Sequence, residues 1–233
     1  MRIAIISDIH GNLEALETAL QTIRKEGVDE IICLGDIVGY GASPNECIAE
    51  VQSATDYVLL GNHDEAALHP EKTEYFNPYA RIAIEWTAEA LDGEKRAFLE
   101  TLPYTLALEG LLFVHSSPYE PEAWHYVLSP TDAQMNFSYF SEPICFVGHS
   151  HVPGIFSQDL WTREVMRGKK FIVNVGSIGQ PRDNDWRLCF GIFDTEAWTY
   201  RAIRCEYDVK ASAEKIRKAG LPKALAERIF VGR

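Results

Sequence analysis

No stretch of this 233-residue chain approaches the roughly 20 consecutive apolar residues needed to span a bilayer. The opening run from Met1 to Asn12 lacks both the apolar length and the cleavage site of a secretion signal. A cytoplasmic protein without a membrane segment is therefore expected. Basic residues are also scarce, with 22 Lys and Arg against 34 Asp and Glu and a net charge of -12. That balance argues against extended nucleic-acid binding, which rests on cations neutralising phosphates. An anionic substrate would need local attraction, and bound metal cations can supply it. Cysteine is sparse too: the five are irregularly spaced with no C-x-x-C pair, and Cys33, Cys145 and Cys189 lie inside apolar runs, as buried free thiols do. No Pro/Gly/Ser linker, low-complexity tract or repeat divides the chain, so one domain over residues 1–233 is expected.

What is present alternates. The apolar run Arg2–Ile6 precedes a helix expected over Leu13–Glu26, with Leu13, Leu16, Leu20 and Ile23 on one face, Asn12 as its cap and Gly27 as its stop. After the strand "IICLGD", Ser43-Pro44-Asn45-Glu46 reads as a cap, a first-turn proline and a capping-box Glu opening a second helix. "YVLLGN" reads as a third strand, and Asn77-Pro78 and Ser129-Pro130 announce helices near 78–91 and 130–139. This alternation predicts a mainly parallel sheet over the first two thirds. Later, "YTLALEGLLFVH" reads as a hairpin turning at Glu109-Gly110, and "RLCFGIFD" with "WTYRAIRCEYD" as a second antiparallel pair. Two mixed β-sheets flanked by helices, a four-layer α/β/β/α sandwich, is the expected fold. A C-terminal helical tail over about 211–229, broken at Gly220-Leu221-Pro222, completes it.

The strands share an ending. "IAIISDIH", "IICLGD", "YVLLGNHD", "LLFVHSSP" and "ICFVGHSH" each deliver Asp or His from an apolar run. Carboxyl ends of strands in open sheets converge on a ligand crevice, so these distant residues can share one site. Asp8 and His10, two apart like His149 and His151, are expected on one side of an extended segment. Asp8, Asp36, Asn62, His10, His115, His149 and His151 form a mixed oxygen and nitrogen set suited to Mn, Fe, Zn, Ni or Co, and too nitrogen-rich for calcium. Seven ligands are too many for one catalytic ion with an open position. They suit two ions sharing a carboxylate, roughly 3.5–4 Å apart.

The ordered blocks Asp8-Ile9-His10, Gly35-Asp36, Gly61-Asn62-His63-Asp64, His115 and Gly148-His149-Ser150-His151 resemble the calcineurin-like metallophosphoesterases. The resemblance extends from the first strand to about residue 180, and "N-x-G-S-x-G-Q-P-R" from Asn174 to Arg182 is similar to the small bacterial and archaeal branch. It implies that Asp8, His10 and His151 hold a first divalent ion, that Asn62, His115 and His149 hold a second, and that Asp36 bridges them, with manganese foremost. It further implies that His63 stands outside the metal shell as general acid, with Asp64 orienting its ring. The Ser116-Ser117 pair after His115 departs from the Gly-His found in many relatives. In-line hydrolysis of a small phosphate ester, a phosphodiester or nucleotide foremost, is the implied reaction.

Arg182 reads equally as a phosphate anchor and as an exposed loop arginine. Tyr40, Trp124 and Tyr126 could stack on a base or aryl ester, although packing under loops is the favoured reading. His69 and His125 belong to none of the blocks and read as surface or structural residues, and Glu65 as an acidic residue of the next turn. Serine/threonine phosphatase and diadenosine tetraphosphate hydrolase share the implied metal site. A peptide groove for the former finds little room in 233 residues. A repair nuclease is disfavoured by the acidic balance, and a non-catalytic scaffold by His63 and the filled ligand set. A homo-oligomer stays open.

Overall fold

The computed structural model describes residues 1–233, apart from the side chains of residues 74 and 75. In chain order the elements are β1 (Arg2–Ile6), α1 (Leu13–Glu26), β2 (Glu30–Cys33), α2 (Pro44–Ala54), α3 (Asn62–Leu68), α4 (Pro78–Ala90) and α5 (Gly93–Leu99). Next come β3 (Thr105–Leu108), β4 (Leu111–Val114), α6 (Pro130–Asn136), β5 (Ile144–Val147), β6 (Gly154–Ser157) and β7 (Phe171–Asn174). The chain finishes with β8 (Leu188–Asp194), β9 (Thr199–Cys205), α7 (Val209–Lys218) and α8 (Lys223–Arg228).

Two sheets result, ordered β2-β1-β8-β9 and β3-β4-β5-β7-β6. Strand alternation divides each sheet between two layers, because successive side chains point to opposite faces. Ile3 and Ile5 of β1 meet Phe113, Ile144, Phe146, Phe171 and Val173 of the other sheet. Their neighbours Ala4 and Ile6 face Leu16, Ala19, Leu20 and Ile23 of α1. Cys145 and Val147 of β5 turn outward onto Ala133 and Phe137, the α6 cover. The expected sandwich of two mixed sheets flanked by helices is thus the observed fold.

Several local expectations are corrected. The first sheet is not mainly parallel: only β1 and β2 pair in parallel, and the late hairpin β8–β9 completes the sheet by antiparallel pairing of β8 with β1. The segment "YVLLGN" forms a single bridge, Val58 to Cys33, rather than a strand. Leu60 N–H turns away to the Pro103 carbonyl at 2.9 Å, and α3 begins two residues later. Ser43 starts α2 without capping it by its side chain; its own N–H is drawn instead to the Gly11 carbonyl at 3.0 Å. The helix α6 stops short of residue 139, whereas its Ser129–Asp132 capping box forms. The edge strand β6 and the short α5 have no counterpart in the sequence reading, because neither is long enough to display a period. The hairpin at Glu109-Gly110, where both residues have positive φ, and the tail broken between α7 and α8 follow expectation.

The tail is tied to the strand-end loops through Asn12. Its Oδ1 accepts from Ala15 N–H and Ser212 Oγ, and its Nδ2 donates to the Gly179 carbonyl and the Tyr207 hydroxyl. Asn12→Ala would strip a helix cap and orphan buried partners, so unfolding in urea should show a loss of about 2–4 kcal/mol. A loss below about 1 kcal/mol would show that Asn12 is no more than a replaceable cap.

Candidate active site

The donors at the strand ends are assembled by loops zipped to one another through their backbones. Asp8 N–H donates to the Gly35 carbonyl at 3.0 Å, Ile9 and His10 N–H both donate to the Asp36 carbonyl at 2.8 and 2.9 Å, and Gly11 N–H reaches Ile37. From the opposite side the loop after β7 clamps Asp8: its carbonyl accepts from Gly179 N–H at 2.9 Å and Ser177 Oγ at 2.8 Å. These contacts hold a backbone conformation that L residues rarely take. Asp8, His10, Asp36, His149 and His151 have φ of 54, 50, 52, 64 and 61°. The expectation of an extended Asp8–His10 segment is therefore wrong: the two side chains converge through left-handed turns. Such strain persists where surrounding contacts over-determine it, as at ligand sites.

All seven expected ligands are buried. Asp8, His10, Asp36 and His151 present one ligand atom each within 4.8 Å of one another, and Asp36, His115 and His149 form a second such group. Asp36 belongs to both. One of its oxygens accepts from His63 N–H at 2.8 Å, while Oδ2 has no hydrogen-bond partner among the described residues. Asn62 Oδ1 and His115 Nε2 are buried in the same condition. Each ring nitrogen pointing away from the cluster has a backbone partner: His10 Nδ1 on Val38 O (3.0 Å), His115 Nδ1 on Leu34 O (3.0 Å), His151 Nδ1 on Gln180 O (2.6 Å) and His149 Nε2 on Trp124 O (3.0 Å). That pattern leaves one nitrogen per ring to face the centre, as metal-binding imidazoles require. The residues present therefore fit divalent metal ions.

The electrostatics agree. Burial raises the Asp36 carboxyl, but His115, His63 and His10 outweigh it and hold the group well below the usual carboxylate range. Burial likewise pushes Asp8 up, and His151 and His115 overcome it, so the carboxyl lies below its ordinary value. Burial drives His10 down, and burial with the His115 charge takes His149 to about 3. His115 is the exception: burial lowers it, yet Asp36, Asp8 and Asp64 lift it to about 9. At 3.4 Å, His115 Nε2 and Asp36 Oδ2 form an ion pair too poorly aligned for a hydrogen bond.

His63 lies beside the cluster, its ring 4.8 Å from His10, 4.5 Å from Tyr40 and 5.0 Å from Phe76. It lines a cleft of about 710 Å³ together with Tyr40, Asn62, Phe76, Trp124, Tyr126 and His149. The expected Asp64–His63 contact does not form. Asp64 Oδ1 accepts from Val38 N–H at 3.1 Å and Oδ2 from Gly61 N–H at 3.0 Å, capping α3, while His63 Nδ1 is buried without a hydrogen-bond partner among the described residues. Position explains this: Asp64 sits in the first turn of α3, where one oxygen caps the Gly61 N–H, and the loop after β2 brings the Val38 N–H to the other. Burial and the Asp36 charge raise its carboxyl to about 7.

Arg182 is half-buried rather than an exposed loop residue; its Nη2 donates to Gln180 Oε1 at 2.9 Å and approaches the Tyr40 hydroxyl at 3.4 Å. Tyr40 is packed beneath the loops, whereas Tyr126 is about half-exposed and stacks on the His149 ring at 3.9 Å. Glu65 is more than an acidic turn residue: it lines the cleft and accepts from Trp124 Nε1 at 3.0 Å, a partner 59 positions away that no local pattern reveals. His69 and His125 pair with Glu71 and Glu120 on the surface, outside the site. No helix among the described residues is long and apolar enough to cross a membrane.

The convergence of Asp and His side chains at strand ends between two mixed sheets defines a metallophosphoesterase. The chain belongs to the calcineurin-like phosphoesterase superfamily, whose domain model matches residues 1–197, and it is a phosphoester hydrolase of that family. It is 42% identical over 241 residues to an uncharacterised protein of Methanocaldococcus jannaschii, covering 99% of this chain and 98% of the other. Among solved structures, a metallophosphoesterase from Sphaerobacter thermophilus is 38% identical with a TM-score of 0.88, covering 100% of this chain and 99% of that one. A hypothetical protein from Pyrococcus horikoshii, 22% identical over 100% of this chain and 98% of its own, shares the fold with a TM-score of 0.84.

Two outcomes follow for metal uptake. A Cβ on Gly148 would fall 2.0 Å from Ser7 Oγ and 2.6 Å from Asp8 Oδ2, so Gly148→Ala should displace Asp8 and weaken divalent-metal affinity about 10–100-fold in calorimetric titration. Unchanged affinity would mean that Asp8 is not a ligand. Because Asp36, Asp8 and Asp64 lift His115 to about 9, a metal held through this imidazole would have to displace a proton at neutral pH. Affinity should climb about tenfold per pH unit up to about 9, with proton release seen across buffers of different ionisation enthalpy. The Asp36–His115 pair itself stabilises the fold fully below the ordinary histidine value near 6.5, and that contribution fades as pH rises through about 9.

Proposed function

We propose that this chain hydrolyses small phosphate esters, phosphodiesters or nucleotides foremost, at a dinuclear divalent-metal centre. Asp8, His10 and His151 hold one ion, Asn62, His115 and His149 hold the other, and Asp36 is shared. The observation that carries this reading is the Asp36 carboxylate, one oxygen tied to backbone and the other buried without a hydrogen-bond partner among the described residues, common to two groups of donors. Buried polar atoms left unpaired are costly, and coordination would satisfy Asp36, Asn62 and His115 together. The mixed donors suit manganese, iron, zinc, nickel or cobalt, and manganese is taken foremost on the family resemblance. When bound, such cations supply a nucleophile at neutral pH and polarise the phosphoryl oxygens.

The chain's own residues do the rest. His63, at the cleft wall beside Asn62, is assigned the protonation of the leaving oxygen. Burial is the main cause that takes its imidazole to about 4, so it is neutral in the free protein at pH 7. A phosphate ester against the ring brings the negative charge that favours the imidazolium, which couples protonation of His63 to substrate binding. Asp64 acts as a positioning residue: by holding the Val38 and Gly61 N–H groups it fixes the two loops that carry Asp36 and Asn62. Arg182 is assigned to the anionic oxygens of the ester, and the aromatic faces of Trp124 and Tyr126 fit a base or aryl group.

The test is hydrolysis of a bis-aryl phosphodiester and an aryl phosphate with added Mn(II), with bound metal measured alongside. His63→Ala should lose turnover by about 10²–10⁴-fold while retaining metal. Equal turnover in both proteins would remove His63 from the mechanism. Bound metal without turnover across a broad ester panel would favour a non-catalytic scaffold.

A further inference from the structure

Arg182 and Arg228 come from distant parts of the chain, yet each guanidinium carbon lies 5.7 Å from the centroid of the same Tyr40 ring. Arg182 extends from the loop after β7, and Arg228 is the last residue of α8, beyond the residues 1–197 that the family model matches. The helix is held there by Leu225, Ala226 and Ile229, which pack in one cluster with Tyr40, Ala80, Ala83 and Ile216. In a chain with 34 Asp and Glu, neither arginine is paired with an Asp or Glu side chain among the described residues. Arg182 is hydrogen-bonded to Gln180 and Tyr40, and Arg228 Nε to the Arg233 backbone oxygen, which leaves the terminal nitrogens of Arg228 without a partner among the described residues.

Tyr40 ties both charges to the centre: its ring lies 4.8 Å from His10 and 4.5 Å from His63. Arg182 acts on His63, His151 and Tyr126, all at the cleft, whereas the charged and ionisable groups that act on Arg228 are Arg182 and Tyr40. Burial and the neighbouring Arg182 pull the Arg228 guanidinium below its ordinary value, the cost of placing two like charges in a half-buried setting. An anion between them would offset that cost, and guanidinium forks match phosphate oxygens in paired hydrogen bonds.

We propose that Arg228, brought beside Arg182 over Tyr40, adds a second anion subsite next to the ester contact that Arg182 makes, so that the preferred substrates carry a further phosphate or like anionic group besides the ester that is cleaved. This rests on the phosphoesterase reading above and deepens it: the C-terminal helices α7 and α8, outside the matched region, set substrate class by delivering Arg228. The scissile phosphate belongs over the donor cluster, and Tyr40, which lines the cleft with its ring 4.5 Å from His63, carries the Arg228 guanidinium alongside it for a second phosphate of the same molecule.

The experiment is calorimetric titration of the Mn(II)-loaded protein with methylphosphonate and with propane-1,3-bisphosphonate at matched free Mn(II). Wild type should bind the bisphosphonate more tightly, and Arg228→Ala should reduce that preference about tenfold or more, with Arg228→Lys restoring part of it. Lys223→Ala removes a charge from the exposed side of the same helix, where Lys223 pairs with Glu227 at 2.9 Å, and should keep the preference. Arg228→Gln, with the thermal midpoint of each variant, separates loss of the guanidinium from loosening of the tail. An equal preference in wild type and Arg228→Ala would overturn the subsite. So would no preference in wild type, or an equal loss in Lys223→Ala. Because binding is read without turnover, a protein that keeps the preference but hydrolyses no ester would sink the phosphoesterase reading and leave the subsite standing.

Discussion

The structure is organised around one buried carboxylate. Asp36 keeps its charge in a place where burial opposes it, because His115, His63 and His10 surround it and the His63 backbone N–H binds one oxygen. The carboxylate is common to two groups of donors, and its free oxygen lies 3.5 Å from His10 Nε2 and 3.4 Å from His115 Nε2. A lone buried anion would be expelled or protonated; here two of the imidazoles that stabilise it, His115 and His10, are also donors that a divalent cation would need. The same arrangement that makes the carboxylate tolerable thus makes the site receptive to metal.

Holding that arrangement requires backbone geometry that the chain would not choose locally. Positive φ at a non-glycine residue costs on the order of 1–3 kcal/mol, and five donor-bearing residues adopt it. Hydrogen bonds between the loops after β1, β2 and β7 maintain it, with Asn12 linking these loops to the C-terminal helices. The sandwich supplies rigidity: Ile3, Ile5, Phe113, Phe146 and Phe171 lock the sheets together and fix the strand ends relative to one another. Loops presenting charged donors can then be strained without the site collapsing.

Long periodic elements were legible from residues alone. The helix α1 with Asn12 and Gly27 at its ends, the two hairpins and the break between α7 and α8 each rest on a local signal that the tertiary structure does not override. Misreadings cluster where partners are distant. Val58 and Leu60 carry strand-forming side chains, yet Pro103 competes for the Leu60 N–H and the segment pairs only once. Asp64 stands next to His63 in sequence, but the N–H groups of Val38 and Gly61 claim its oxygens. The Asp-x-His spacing is real, although the geometry behind it is a left-handed turn, since the loop after β2 binds the N–H groups of Ile9 and His10.

By itself the sequence determined the inventory: which donors exist, that they follow apolar strands, and that their mixture of oxygen and nitrogen suits transition metals better than calcium. Strand period and strand-end position are local properties, so they survive without coordinates. Tertiary structure decided which groups are occupied elsewhere: that Asp64 serves backbone instead of His63 and that Arg228 arrives beside Arg182, while Asp36, shared according to the family resemblance, stands in both donor groups. Those outcomes depend on competition among partners far apart in the chain, and residue spacing carries no record of which partner wins.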